Sequence, residues 1–235
     1  MARSAIPPHI LKQLEYIEPG AQFNASGGLP QVTSSSGKTY FAKVGSPKEK
    51  EQYVGEAESL KAMALAAPGL VPPLLAFGFV DDNGEEVKID GGPDAAAPGD
   101  AVTDGLRPFF ISEYKDMSPL TERSGEILGR RLATEMHGYT SPNYHGVEGA
   151  EGAGFGFGVP TFCGATRLRN GWYDTWERCF DVLIGDLLST LEARGGYAEL
   201  CRRGRDVRLK CVWFLANFIS PAFLISLSLQ FFFLE

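Results

Sequence analysis

Several things are scarce in this sequence, and each scarcity excludes something. The four cysteines, Cys163, Cys179, Cys201 and Cys211, form no C-x-x-C pair and no metal-ligand spacing. Free thiols in a reducing compartment are therefore expected rather than a disulfide framework. Positive charge is in deficit, with 22 Lys and Arg against 29 Asp and Glu and a formal net charge of −7. That balance argues against nucleic acid as the main partner. The N-terminus lacks an apolar signal core, since Arg3 is followed by Ile6-Pro7-Pro8, and a cytoplasmic main domain is expected. Two nucleotide signatures fail as well. Gly37-Lys38-Thr39 imitates the end of a P-loop, but the first glycine would have to occupy the place of Val32, and the segment leads into a strand. Gly152, Gly154 and Gly156 begin a G-x-G-x-x-G pattern that Phe157 breaks, so a loop is expected there.

What is present suffices for a real core: 235 residues, 44% hydrophobic and 22% charged, one large domain or two small ones. Residues 7–18 read as a short helix, opened by Pro7 or Pro8, with Ile10, Leu11, Leu14 and Ile17 as its apolar stripe. Pro19-Gly20 ends it. Gly27 and Gly28 lie in a small-residue turn between two expected strands. Such a turn serves either as a plain hairpin or as backbone that approaches phosphates, because no Cβ intervenes. Residues 34–38 read as a hairpin turn.

Tyr40-Phe41-Ala42-Lys43-Val44 alternates as a half-buried strand. Ser46-Pro47-Lys48-Glu49 then opens a helix, with Ser46 as N-cap and Glu49 closing a capping box. Tyr53, Ala57, Leu60 and Ala64 share one helix face, with Met63 alongside, and Pro68-Gly69 stops the run. Glu56 lies mid-helix, thirteen residues after Lys43. In kinase-type sites a strand lysine contacts the α and β phosphates and a helix glutamate holds its ammonium. The same two residues are also compatible with a solvent-facing lysine and an unrelated surface charge.

Residues 81–105, rich in Asp, Gly, Pro and Ala, read as a flexible hairpin insertion. Pro108–Tyr114 returns as an apolar strand, either a core strand or one leading to an adenine-binding hinge. Leu128–His137 is expected to be a helix with Leu128, Leu132 and Met136 on one stripe, closed by Gly138. Trp172, Tyr173, Trp176, Phe180, Leu183, Leu187 and Leu191 fall at helical spacing and predict a core-packing helix.

The ordered tokens Gly27-Gly28, Phe41-Ala42-Lys43, Gly55-Glu56-Ala57-Glu58-Ser59-Leu60, Leu128-Gly129-Arg130-Arg131-Leu132-Ala133 up to His137, Phe155-Gly156-Phe157, Gly164-Ala165-Thr166-Arg167, Asn170-Gly171-Trp172 and Trp176 resemble the fructosamine kinase (ketosamine 3-kinase) family, related to the aminoglycoside phosphotransferases. The match runs over roughly residues 20–200. The resemblance implies an α+β, protein-kinase-like two-lobe fold, with an N-terminal antiparallel sheet plus helix (residues 1–115) and a helical C-terminal lobe, incomplete here (116–200). It implies ATP with Mg2+ as cofactors. The substrates would be glycated proteins or small ketosamines such as fructosamines and ribulosamines, phosphorylated on the 3-hydroxyl. By position, Lys43 would grip the phosphates, Glu56 would orient Lys43, Gly27 and Gly28 would cover the phosphates, and Glu113, Tyr114 and Lys115 would form the adenine hinge. His137 would have a structural role.

The chain departs from that pattern in its last third. The family carries its catalytic aspartate in a His-Gly-Asp-Leu-type loop, and an acidic Mg2+ ligand later still. Ile184-Gly185-Asp186-Leu187 imitates the loop but lacks the histidine and falls inside the expected helix, so Asp186 is not accepted as catalytic. Asp206 sits among Arg202, Arg203, Arg205 and Arg208, and no metal ligand is identified. Residues 201–235 change composition: a basic cluster from Arg202 to Lys210, then 24 almost wholly apolar residues from Cys211 to Leu234. Two readings stand. One is a C-terminal membrane anchor on a non-catalytic nucleotide-binding or scaffold module. The other is sequence foreign to the family, interrupting the chain before its catalytic loop. The switch falls where the catalytic segment should begin, which favours the second.

Overall fold

The computed structural model describes residues 6–87, 105–137, 139 and 154–218, the side chains of 212–218 excepted. It divides into two compact units, Met1–Pro119 and Leu120–Glu235.

The first unit is built on a six-stranded sheet. Helix α1 (Pro8–Ile17) precedes strands β1 (Phe23–Asn24), β2 (Gln31–Ser34) and β3 (Thr39–Val44); helix α2 (Lys50–Ala66) leads to β4 (Leu74–Val80), β5 (Glu86–Val87) and β6 (Arg107–Glu113). The spatial order is β1-β2-β3-β6-β4-β5, and every recorded strand pairing is antiparallel. Strand β6 lies between β3 and β4, and its Pro108-Phe109-Phe110-Ile111-Ser112 run is buried throughout. A strand covered on both faces reads as a continuous apolar run. Successive side chains then divide between two cores. Phe109 and Ile111 join Ile10 and Leu14 of α1 with Val32, Tyr40, Ala42 and Val80. Phe110 joins Tyr53 and Ala57 of α2 on the opposite face.

The half-buried strand expected at 40–44 is therefore covered on both sides, because α1 supplies the layer that the local pattern could not reveal. Its apolar stripe is real: Ile10 and Leu14 are fully buried. The Ser34–Lys38 hairpin is also as expected, with Ser34 N–H donating to the Lys38 carbonyl at 2.9 Å and Gly37 at φ +90°. Glu49 accepts from both the N–H and the hydroxyl of Ser46 at 2.7 Å. This bonding closes a 3-10 turn, Pro47–Glu49, that runs directly into α2. The insertion begins as a hairpin: Asp81 accepts from the N–H groups of Asn83 and Glu85 at 2.9 Å, and β5 pairs with β4. Its remainder, 88–104, lies outside the described residues.

His9 sits at the start of α1, nine-tenths buried, with its ring 5.6 Å from that of Phe109. Its Nε2 is buried without a partner. Burial holds its pKa below the usual value, nearby Arg107 adds to that, and Glu86 partly opposes it. The folded state thus disfavours the proton that the unfolded chain takes up near pH 6.5. Stability should fall as pH drops below about 6.5, at no more than about 1.4 kcal/mol per pH unit. Urea melts between pH 5 and 8 check this. His9→Leu should flatten that segment of the curve, and an unchanged slope would remove His9 as its cause.

The second unit contains α3 (Glu122–Arg131), a π-helical turn over Leu132–Met136, strands β7 (Phe155–Gly156), β8 (Thr161–Cys163), β9 (Thr166–Leu168) and β10 (Trp172–Tyr173), and helices α4 (Trp176–Arg194) and α5 (Ala198–Phe218). Helix α3 starts six residues before the expected Leu128, because Thr121 caps it: the Thr121 hydroxyl accepts from Ser124 N–H at 3.1 Å. Gly138, expected to close it, lies outside the described residues, as do 140–153.

Two further expectations are corrected. Phe155-Gly156 is not loop but a strand paired with Trp172-Tyr173. Those two residues are correspondingly strand, not the first turn of the helix, which Thr175 caps at Trp176. Helices α4 and α5 pack antiparallel after the positive-φ pair Gly195-Gly196, with Gly204 seated against Leu188. The basic cluster on α5 is bonded to acidic neighbours: Arg202 and Arg203 to Glu199, Arg205 to Glu192, Arg208 to Asp181. Among the described residues, no helix is long and apolar enough to cross a membrane. The rest of the apolar tail, 219–234, lies outside them.

Candidate nucleotide site

Alternation along β3 sends Tyr40 and Ala42 towards α1 and therefore Phe41 and Lys43 towards α2. Glu56 lies on α2, and the carboxylate meets the Lys43 ammonium at 2.5 Å, both side chains roughly two-thirds buried. The alternative of a solvent-facing lysine and an unrelated surface charge is thereby set aside. Tyr53 and Phe110 complete the surroundings, with the ammonium 4.5 Å from the Tyr53 ring centroid and 5.4 Å from that of Phe110. Burial pushes the Tyr53 phenol up to about 12, with the Glu49 and Glu56 charges adding to it. The Glu49 carboxyl is held below its usual range, first by the Ser46 N–H and hydroxyl and to a lesser extent by the Lys43 charge.

Gly27 and Gly28 lie on the connection between β1 and β2. Gly28 adopts φ +81° and donates its N–H to the Ala25 carbonyl at 2.9 Å, while a Cβ on Gly27 would point into empty space. The Glu113–Lys115 segment ends β6. Glu113 N–H donates to the Pro73 carbonyl at 3.3 Å and Tyr114 N–H to the Thr39 carbonyl at 3.1 Å. Lys115 pairs with the Glu113 carboxylate at 2.7 Å.

Residues 20–201 match the fructosamine kinase family. The chain belongs to that family. The match ends one residue before the basic cluster. The crystal structure of a protein assigned as a fructosamine-3-kinase, from Haemophilus somnus 129PT, superimposes with a TM-score of 0.53 at 15% identity, over 90% of this chain and 62% of that one. The fold is thus the kinase-like α+β arrangement, and this fructosamine kinase family member spans about three-fifths of that protein's length. No curated protein matches it.

Three of the family tokens of the second unit, F-G-F, N-G-W and Trp176, touch one another. Phe155-Gly156 of F-G-F pairs with Trp172 of N-G-W. G-A-T-R forms the β8–β9 hairpin, and Asn170 donates to the Val159 carbonyl and the Thr161 hydroxyl, both at 2.8 Å. His137 closes the π-helical turn, its N–H reaching the Leu132 carbonyl at 3.0 Å.

Asp186 lies well inside α4 as expected. The Arg169 guanidinium grips it through Nε, at 3.0 and 3.2 Å, and through Nη2, holding its carboxyl below the usual range. The other described aspartates of this unit are bonded likewise: Asp174 to Arg178 at 3.0 Å, Asp181 to Arg208 at 2.6 Å and Asp206 to Arg202 at 3.4 Å. Among the described residues, no three His, Cys, Asp or Glu side chains gather as a metal site. All four cysteines are free thiols.

Local pattern puts Tyr53 only on a packing face and Phe110 only in an apolar strand. One signal was present, since Tyr53 precedes Glu56 by one helical turn on the same face. Phe110 stands opposite Lys43 only through the β3–β6 register, which local pattern does not give. The Arg169–Asp186 contact, across seventeen residues, is likewise invisible to local pattern.

Proposed function

We propose that this chain holds ATP through Lys43, in the manner of a kinase acting on fructosamines and ribulosamines at the 3-hydroxyl, with glycated proteins or small ketosamines as the substrate class. The observation that carries this is the Lys43–Glu56 pair: a cation already fixed by a carboxylate, aimed from a strand, fits polyphosphate. Gly27 and Gly28 would cover the phosphates. An adenine at Glu113–Lys115 would meet carbonyls of that segment, since the Glu113 and Tyr114 amides are engaged within the protein. ATP, when bound, supplies the transferable phosphoryl group. Mg2+ belongs to the family chemistry, but no ligand set for it is gathered among the described residues, so no step is assigned to it. Free thiols support a cytoplasmic location.

Transfer needs a carboxylate able to receive or orient the substrate hydroxyl. Arg208 and Arg169 hold the Asp181 and Asp186 carboxyls below the usual range, which makes them weak bases, and Asp174 and Asp206 are each bonded to an arginine as well. We therefore expect nucleotide binding with negligible ketosamine phosphorylation by this chain. Calorimetric ATP titration and a coupled assay on fructosyl-lysine and ribulosyl-lysine check the two halves. Lys43→Ala should weaken ATP by roughly ten- to a hundred-fold, the worth of a charge-assisted contact. Unchanged affinity would remove Lys43 from the site. Robust turnover by the wild-type chain would refute the loss of transfer.

A further inference from the structure

We infer that Tyr53 is a positioning residue for Lys43: its ring, with that of Phe110, forms an aromatic cage that fixes the ammonium before any nucleotide arrives. An ammonium carries three donors, and the Glu56 carboxylate at 2.5 Å meets it from one side only. The two rings lie within the roughly 6 Å over which a cation is attracted to an aromatic face, at 4.5 and 5.4 Å. Each reaches its place by an independent route. Tyr53 precedes Glu56 by one turn of α2, and Phe110 is the direct cross-strand partner of Lys43.

Neither ring can swing away. A Cβ on Gly45 would fall 2.8 Å from the Tyr53 ring and 2.9 Å from Pro108, so the chain leaving β3 backs directly onto the tyrosine. Phe110 is held edge-on by Phe41, with centroids 6.4 Å apart and planes at 82°. Both cage residues are almost fully buried. The Tyr53 phenol stays neutral through the physiological range, because burial pushes it up to about 12. The ring therefore presents a π face to Lys43, not a competing phenolate. A partly exposed ion pair alone orders a long lysine poorly. With the cage, the entropy of ordering its stem is met during folding and need not be drawn from nucleotide binding.

The positioning role rests on the ATP-site reading; the cage itself does not, and the experiment separates them. In protein labelled with 13C at lysine Cε, the Lys43 methylene, assigned by its absence in Lys43→Arg, should resonate upfield of the exposed lysines without nucleotide. Tyr53→Phe should keep that shift and Tyr53→Leu should largely abolish it. ATP affinity should fall roughly five- to thirty-fold in Tyr53→Leu and return to near the wild-type value in Tyr53→Phe. A wild-type signal among the exposed lysines overturns the cage even if Tyr53→Leu does not fold. A shifted signal, with Tyr53→Leu binding ATP as tightly as wild type while Lys43→Ala does not, overturns the positioning role and leaves the ATP site standing. Absence of wild-type ATP binding refutes the ATP reading and the positioning role with it, and the shift alone then judges the cage.

Discussion

Gly156→Ala should destabilise the second unit by more than about 3 kcal/mol. Two independent costs meet at this position. Its φ of +145° is one that side-chain-bearing residues rarely adopt. An added Cβ would also drive into the Gly171 carbonyl, 2.7 Å from the carbon and closer still to the oxygen. Both obstacles are backbone, so no rotamer change relieves them. The β7–β10 pairing must separate, and with it the seat of Phe155, which packs edge-on against Trp176 at 6.2 Å. Trp172 and Trp176 make intrinsic fluorescence a direct reporter of thermal unfolding. Gly164→Ala is the matched control. Gly164 also has positive φ, at +56°, but a Cβ there meets nothing within 4 Å, so only the left-handed penalty of about 1–2 kcal/mol applies. Equal losses in the two variants would show that the approach to Gly171 is not what requires a glycine.

The same contact explains what the short family tokens do. F-G-F and N-G-W are far apart in sequence and individually unspecific, yet they are the two strands of one pair, and α4 starts four residues beyond Trp172. Their order could be read from the sequence; their mutual contact could not, because a two-residue strand has no period to detect. The helical spacing of Trp172, Tyr173 and Trp176 was misleading for a related reason. Asp174-Thr175 intervenes, and the Thr175 hydroxyl accepts from Arg178 N–H at 3.4 Å, starting the helix later.

In the first unit the legible part was local. The alternation around Lys43, the helix start at Ser46 and the thirteen-residue step to Glu56 made the ion pair one of two readings, and the fold brings the two side chains together. Contributions from distant elements were not legible: α1 on the far face of the sheet, Phe110 opposite Lys43, and the arginines that occupy Asp181 and Asp186. The Arg202–Lys210 run shows the limit clearly. As sequence it is a block of positive charge, whereas in the fold all four of its arginines are bonded to carboxylates, two of which lie on α4.

Phe109→Ala should cost about 3–5 kcal/mol, the range for emptying a fully packed phenylalanine site. Phe109 is 1% exposed and lies among Ile10, Leu14, Val80 and Ile111, where α1 meets the sheet. Its ring also excludes a side chain from the neighbouring strand: Gly78 is its cross-strand partner, and a Cβ there would come within 2.8 Å of the ring. Gly78→Ala alone should cost about 1–3 kcal/mol through overpacking. In the Phe109→Ala background that methyl enters vacated space, so the double variant should lose clearly less than the sum of the two. Urea denaturation of the four chains measures the coupling, and additive losses would mean that the ring does not set the space at Gly78. Because Phe109 points towards α1 while Phe110 and Lys43 point towards α2, ATP affinity of the folded fraction should be preserved at low temperature. Stability and the nucleotide site are then separable on adjacent residues of one strand.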